Sequence, residues 1–145
     1  MIPRLGWIAL LAGMCGPLGC AGKPVDQPRA PAEEQLYKLG KAYGQAAYRL
    51  KRAPTSFEEI KPNVEGPSTD DLLRSANDGE KFVILWGVDY NKLPPGKDDV
   101  FTVAAYEKNG VDGTRYVLRF PLQVSRMNNE DFKKAVFPPG YERPR

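Results

Sequence analysis

The sequence predicts an α+β fold: an N-terminal helix packed on a small antiparallel meander of about four strands, with a short C-terminal helix. Three observations carry this. Apolar residues recur at helical spacing over about 32–52, where Leu36, Leu39, Tyr43, Ala47 and Leu50 form one stripe. From residue 80 the period changes to two, in "EKFVILWGV", "VFTVAAYEK", "TRYVLRF" and "LQVSRM". The helical segments largely precede the strands, as in an α+β order.

The long helix has matching ends. Pro31, Glu33 and Glu34 suit a first turn, Lys51 and Arg52 suit a last turn, and Pro54 stops it. Gly40 and Gly44 weaken it but allow another element to approach closely. "PTSFEEIKP" carries a capping-box signature, with Thr55 or Ser56 as cap and Glu58 or Glu59 three residues on. Phe57 and Ile60 anchor that turn. "GPSTDDLLRSANDG" repeats the pattern, with Ser68 or Thr69 as cap, Leu72 and Leu73 packing, and "NDG" ending it.

"EKFVILWGV" reads as a central strand covered on both faces, with Phe82, Ile84 and Trp86 opposed to Val83 and Leu85. "DYNKLPPGKDD" is a loop. In the next strand Phe101, Val103 and Ala105 oppose Thr102, Ala104 and Tyr106. "NGVDG" is turn chemistry. Tyr116, Leu118 and Phe120 then face the core, and Arg115, Val117 and Arg119 form a basic, solvated outer face of a one-sided sheet. Pro121 has no N–H, and Leu122 resists positive φ. The connection at 120–123 is therefore expected as a bend or bulge at a sheet edge, not a two-residue primed hairpin. "NNEDFKKAV" is a small capped helix.

Ahead of the domain, Arg4 precedes an uncharged run from Leu5 to Gly19 that is broken by Gly13, Gly16 and Pro17. It is shorter than the ~20 apolar residues that span a bilayer and reads as a signal-peptide core. "PLGC" resembles the bacterial lipoprotein lipobox, in which a small residue precedes a Cys that receives diacylglycerol. Gly19 fits; Pro17 stands where Leu is usual. The resemblance implies lipidation at Cys20. Two alternatives stay open: ordinary cleavage after Ala21, and an uncleaved anchor. "AGKPVDQPRAPA" favours lipidation, because an anchored domain needs a spacer and this one reaches about 35 Å at ~3.1 Å per residue. The expected organisation is a signal peptide at 1–19, a Pro-rich tether at 20–31, one α+β domain at 32–137 and a flexible tail at 138–145.

The chemistry is bounded by what the chain lacks. Its 145 residues include no His, and its two Cys are Cys15 and Cys20. Ser–His and Cys–His nucleophiles and the usual zinc sites are excluded. Net charge is +3, no long basic run occurs, and no nucleic-acid footprint is present. The carboxylate pairs Glu58–Glu59, Asp70–Asp71 and Glu130–Asp131 fall in helix first turns, where capping accounts for them; Asp98–Asp99 lacks EF-hand spacing. "GVDGT" lacks the Lys and the Gly spacing of a phosphate loop. No enzyme, cofactor or metal is expected.

The stretch "VAAYEKNGVDGTRYVLRFPLQVSRMNNEDFKKA" resembles the C-terminal region of bacterial prepilin-like secreted proteins that carry a His, nine residues, then Asp-Gly. "AAYEK", "RYVLRF", "QVSRM" and "NNEDF" stand in that family's order, and "LYKLGKAY" with "RAPTSFEEIKP" resembles its helix and acidic turn. Val111 stands where the His would be, and Pro121–Leu122 where Asp-Gly would be. The resemblance implies a pilin-like fold, without polymerisation, since a lipoprotein-like leader replaces the prepilin signal. The functional expectation is a non-catalytic protein of the cell envelope, anchored to a membrane through a lipid on Cys20 and contacting an envelope protein. Its expected place is the outer membrane or the periplasmic face of a membrane. The alternative is a secreted binding module for a peptide or glycan. Among the aromatics Trp86 belongs in the core and Tyr90 beside its Pro-rich loop at the surface. Tyr90, Arg115 and Arg119 are the candidate interaction surface, and Arg126 adds to the basic character of that surface.

Overall fold

Helix-end chemistry places the first element. The computed structural model describes residues 28–66, 69–93 and 101–144, and Pro31–Leu50 form helix α1. Pro31 occupies the first turn, where a missing N–H costs no bond, and Glu33 and Glu34 meet the positive end of the dipole. The helix stops at Lys51, which is left-handed with φ 57°. Ala32, Leu36, Leu39, Ala42, Tyr43 and Ala46 are buried along one side.

A short helix α2 (Phe57–Ile60) follows and runs into a 3-10 turn at Lys61–Asn63. The expected capping box forms by half. Ser56 makes no side-chain cap, whereas Glu59 reaches back to the Thr55 N–H at 2.7 Å. Arg52 pairs with the same carboxylate and holds it well below its ordinary range, at about 2. Helix α3 spans Thr69–Leu73 and buries Leu72. Of its two expected caps, Ser68 lies outside the described residues and Thr69 is the first residue of the helix itself. "NDG" closes a tight turn: Arg74 bridges Lys81, and the Ser75 N–H donates to the Glu80 carbonyl at 2.8 Å.

The sheet is an antiparallel four-stranded meander in the order β1 (Val83–Ile84), β2 (Val103–Tyr106), β3 (Thr114–Arg119) and β4 (Gln123–Asn128). The dense run expected as a central strand is thus an edge, with only two residues in the ladder. The chain turns away at Gly87, whose φ is 75° and whose N–H donates to the Pro54 carbonyl at 2.7 Å. Between β2 and β3, Asp112 and Gly113 both take positive φ, and Val111 and Thr114 exchange two backbone bonds. That is the two-residue primed hairpin that an Asp-Gly pair favours. Between β3 and β4 the ladder is continuous from Thr114↔Asn128 to Arg119↔Gln123. The connection at 120–122 is therefore a three-residue hairpin loop with a cis Phe120–Pro121 bond, rather than a bulge. Helix α4 (Asn129–Lys134) is capped as expected: Asn128 Oδ1 accepts the Asp131 N–H at 2.8 Å, and Asn128 Nδ2 donates to the Asp131 carboxylate.

Both faces of the sheet are covered, which corrects the one-sided reading. On one face α1 packs on Phe82, Ala105 and Leu118, joined by Tyr116 and Val124. On the other, Phe132 of α4 and Phe137 pack on Tyr106 and Val117. Val117, expected on a solvated face, is 0% exposed. The strict alternation expected in β2 is also broken. A register shift between Val103 and Ala105 sends Val103 to the second core and Ala105 to the first. Phe120, expected beside Leu118, likewise joins the second core: it opens the 120–122 loop, with its N–H donating to the Thr102 carbonyl at 2.8 Å, and its ring stacks on Tyr90. The segment after α4 returns to the sheet, where the Val103 N–H donates to the Val136 carbonyl at 2.8 Å. In the stretch expected as a tail, Pro138 is buried and the Tyr141 hydroxyl donates to the Trp86 carbonyl.

Among the described residues one acidic side chain is enclosed. Glu107, at the end of β2, is 0% exposed. Its carboxylate accepts from the Ser75 hydroxyl at 2.5 Å, Asn77 Nδ2 at 3.1 Å and the Tyr116 N–H at 2.7 Å. Nearby, Asp78 accepts the N–H groups of Glu80, Asn109 and Gly110. Partial burial raises its pKa, but those N–H bonds outweigh it and leave the group below its ordinary value.

Two predictions follow from the packing. A Cβ on Gly40 would lie 2.8 Å from Leu122 Cδ1 and 2.9 Å from Leu118 Cδ2, whereas Gly44 has nothing within 4 Å. Gly40→Ala should therefore be less stabilising than Gly44→Ala by about 1–3 kcal/mol, because Leu118 and Leu122 must shift to admit the methyl group. Gly44→Ala should stabilise by roughly 0.5–1 kcal/mol through helix propensity. Denaturant melts of the pair decide it, and equal shifts would refute the packing assignment. Glu107→Ala strands three donors in the interior and should cost about 3 kcal/mol or more, read from the same melts.

Candidate functional site

The expected surface residues separate when the chain folds. Cys20 lies outside the described residues. Tyr90, expected at the surface, is 6% exposed. It opens a 3-10 turn (Tyr90–Lys92) that drops its ring between Tyr43 and Phe120, with centroids 5.7 and 4.8 Å away. A sequence signal for this existed: Val88 and Tyr90 continue the period-two series of Phe82, Ile84 and Trp86. Burial raises the Tyr90 phenol well above its ordinary value, and the neighbouring Tyr43 adds to it. Burial likewise pushes Tyr43 up to about 12, against the opposing effect of its hydrogen bond to the Val88 carbonyl at 3.0 Å. Tyr106 is also raised by burial.

Arg115 is spent on structure. Its guanidinium lies over the Phe132 ring at 4.4 Å and donates to the carbonyls of Glu107 and Lys108 at 3.3 and 3.1 Å. Arg119 is half-buried at the end of β3. It donates to the Ser125 hydroxyl at 3.3 Å and lies 5.8 Å from the Phe101 ring. Its Nε is buried with no hydrogen-bond partner among the described residues. Arg126 does not share this face. It pairs across the ladder with Tyr116 and so points to the α1 side, where its Nε donates to Thr114 Oγ1 at 2.7 Å.

Two of the concave surfaces among the described residues bear on binding. The first is an open groove of about 460 Å³ between β3, β4 and α4, lined in part by Phe101, Arg119, Met127, Lys134 and Val136. It borders β4, which is paired on one side only among the described residues. Val136 is 40% exposed there. Asp131, an acid on its wall, is engaged by Asn128. The second is a cleft of about 250 Å³ beside Gly44, Tyr48, Asp89 and Phe120. Tyr48 is 77% exposed and carries the Lys51 ammonium 4.0 Å over its ring. Sequence periodicity did not single out Tyr48, because it lies off the apolar stripe. No group of three or more metal-ligating side chains occurs among the described residues, and no described helix is long and apolar enough to cross a membrane.

Comparison with protein-family models, with curated proteins and with solved structures finds no match to this chain.

The tyrosine environments set an alkaline limit on the fold. Raised folded-state pKa values favour the neutral phenol, so this contribution is fully present below the unfolded value of about 10. It should be lost as pH rises through 10 toward about 12. The melting temperature should fall across that window, and phenolate absorbance should show Tyr43, Tyr90 and Tyr106 ionising only as the protein unfolds. Early ionisation of all the tyrosines with no change in melting would overturn the assignment.

Proposed function

We propose that this protein is a non-catalytic cell-envelope lipoprotein whose pilin-like domain works by contact with another protein. The carrying observation is where the reactive side chains are spent. Glu107 serves three internal donors, Asp78 serves backbone N–H groups, and Tyr43 and Tyr90 fill the core. The outward features are a strand edge and a basic groove, which suit association rather than bond chemistry. The anchor reading draws on sequence: α1 begins at Pro31, directly after the Pro-rich stretch that follows Cys20. A long helix laid across an antiparallel meander supports the pilin-like comparison.

A second reading, a secreted module for a peptide or glycan, draws on the exposed Tyr48 beside its cleft. Photo-crosslinking from position 48 and from position 123, an exposed place on β4, in intact cells separates the two surfaces.

The anchor has a direct test. Intact mass of the protein purified from membranes should show a diacylated Cys20 as the first residue, and Cys20→Ser should release the domain from the membrane fraction. A mature chain that begins at Gly22 without lipid would establish ordinary secretion instead.

A further inference from the structure

We infer that β4 is the docking edge for an extended acidic peptide, which adds to the sheet as a fifth strand; this rests on the protein-contact reading above. The edge is six residues long, Gln123–Asn128, and none of its side chains is fully buried. Its charge is one-sided in sign and two-sided in space. Arg126 borders the groove that Arg119 and Lys134 line on the α4 side, but its pairing across the ladder with Tyr116 turns its side chain to the α1 side, where it meets Thr114. None of the three is ion-paired among the described residues. The neighbouring acids are engaged, Asp131 by Asn128 and Glu130 by Lys133.

Successive residues of a strand point to opposite faces. A peptide with adjacent acidic residues would therefore present one to Arg126 and the next to Arg119 or Lys134. Backbone pairing would supply affinity, and the charges would supply selectivity. A second copy of this chain is disfavoured at the same edge, since two-fold pairing of β4 with β4 brings unpaired cations together. A flat anionic membrane is also a poor fit, because the cations stand on both sides of the strand rather than in one plane.

The test uses purified full-length protein in mild detergent and a short fluorescent peptide, Thr-Glu-Glu-Thr-Glu-Glu-Thr. The acidic peptide should bind, raise its anisotropy and slow amide exchange across residues 123–128. Replacing Glu by Lys, or N-methylating the peptide backbone, should weaken binding by roughly tenfold or more. The double variant Arg126→Glu, Lys134→Glu should lose about as much while melting at the wild-type temperature, and salt should weaken the wild-type complex. Absence of binding overturns the proposal, as does equal binding of the N-methylated peptide or protection confined to other residues. So does a result in which the double variant affects only binding of the Cys20→Ser protein to phosphatidylglycerol vesicles, which would make the face a membrane contact. Failure here is separable from failure of the parent reading. A partner crosslinked only through position 48 removes the β4 site and leaves protein contact standing, and the peptide assay does not depend on the anchor.

Discussion

The buried Glu107 carboxylate is the constraint on which the rest of the fold turns. A carboxylate out of contact with water must be met by donors, and here they come from two separate parts of the chain. Ser75 and Asn77 belong to the turn after α3, and the Tyr116 N–H belongs to β3. Meeting them fixes where that turn lies against the sheet. Asp78 repeats the logic one step outward, since its carboxylate gathers the N–H groups of the β2–β3 hairpin. Arg115 completes the arrangement by taking carbonyls from the same hairpin while covering Phe132. A helical half and a sheet half that share few sequence-local contacts are joined by these polar links as well as by apolar packing.

Much of the architecture was legible because it depends on local rules. The α1 stripe follows from 3.6-residue spacing, the β2–β3 turn from Asp112–Gly113, and α4 from the Asn128 cap. The face assignments within β3 were right in their alternation, since Leu118 and Tyr116 do pack under α1. What periodicity does not carry is which of two faces meets water. Arg115, Val117 and Arg119 read as an outer face because two of the three are charged. The covering elements, Phe132 and Phe137, arrive from later in the chain, and long arginine side chains lie along apolar surface with their heads bonded elsewhere.

The misplacement of Tyr90 has a related cause. A Pro-rich neighbourhood suggests a surface loop, yet the ring is drawn in by Tyr43 and Phe120, residues distant in sequence. The bulge in β2 was equally hidden, since one extra residue leaves the alternating pattern intact on either side while reversing its sense. Arg126 shows the complementary error. It is close in sequence to the other arginines of this region, but hairpin register places it across from Tyr116 and on the opposite side of the sheet.

The return of the chain after α4 sets an order on assembly. Val136 and Phe137 follow all four strands, and they close the second core by bonding to Val103 and packing on Tyr106 and Phe132. During synthesis, N-terminus first, the α1 side of the sheet has all its parts before the α4 side does. Until residue 137 has emerged, Val117 and Tyr106 have no complete cover, so the chain keeps an apolar face open to chaperones. A stop codon placed between residues 128 and 136 would freeze it in that unfinished state, with a full meander and one bare apolar face prone to aggregation.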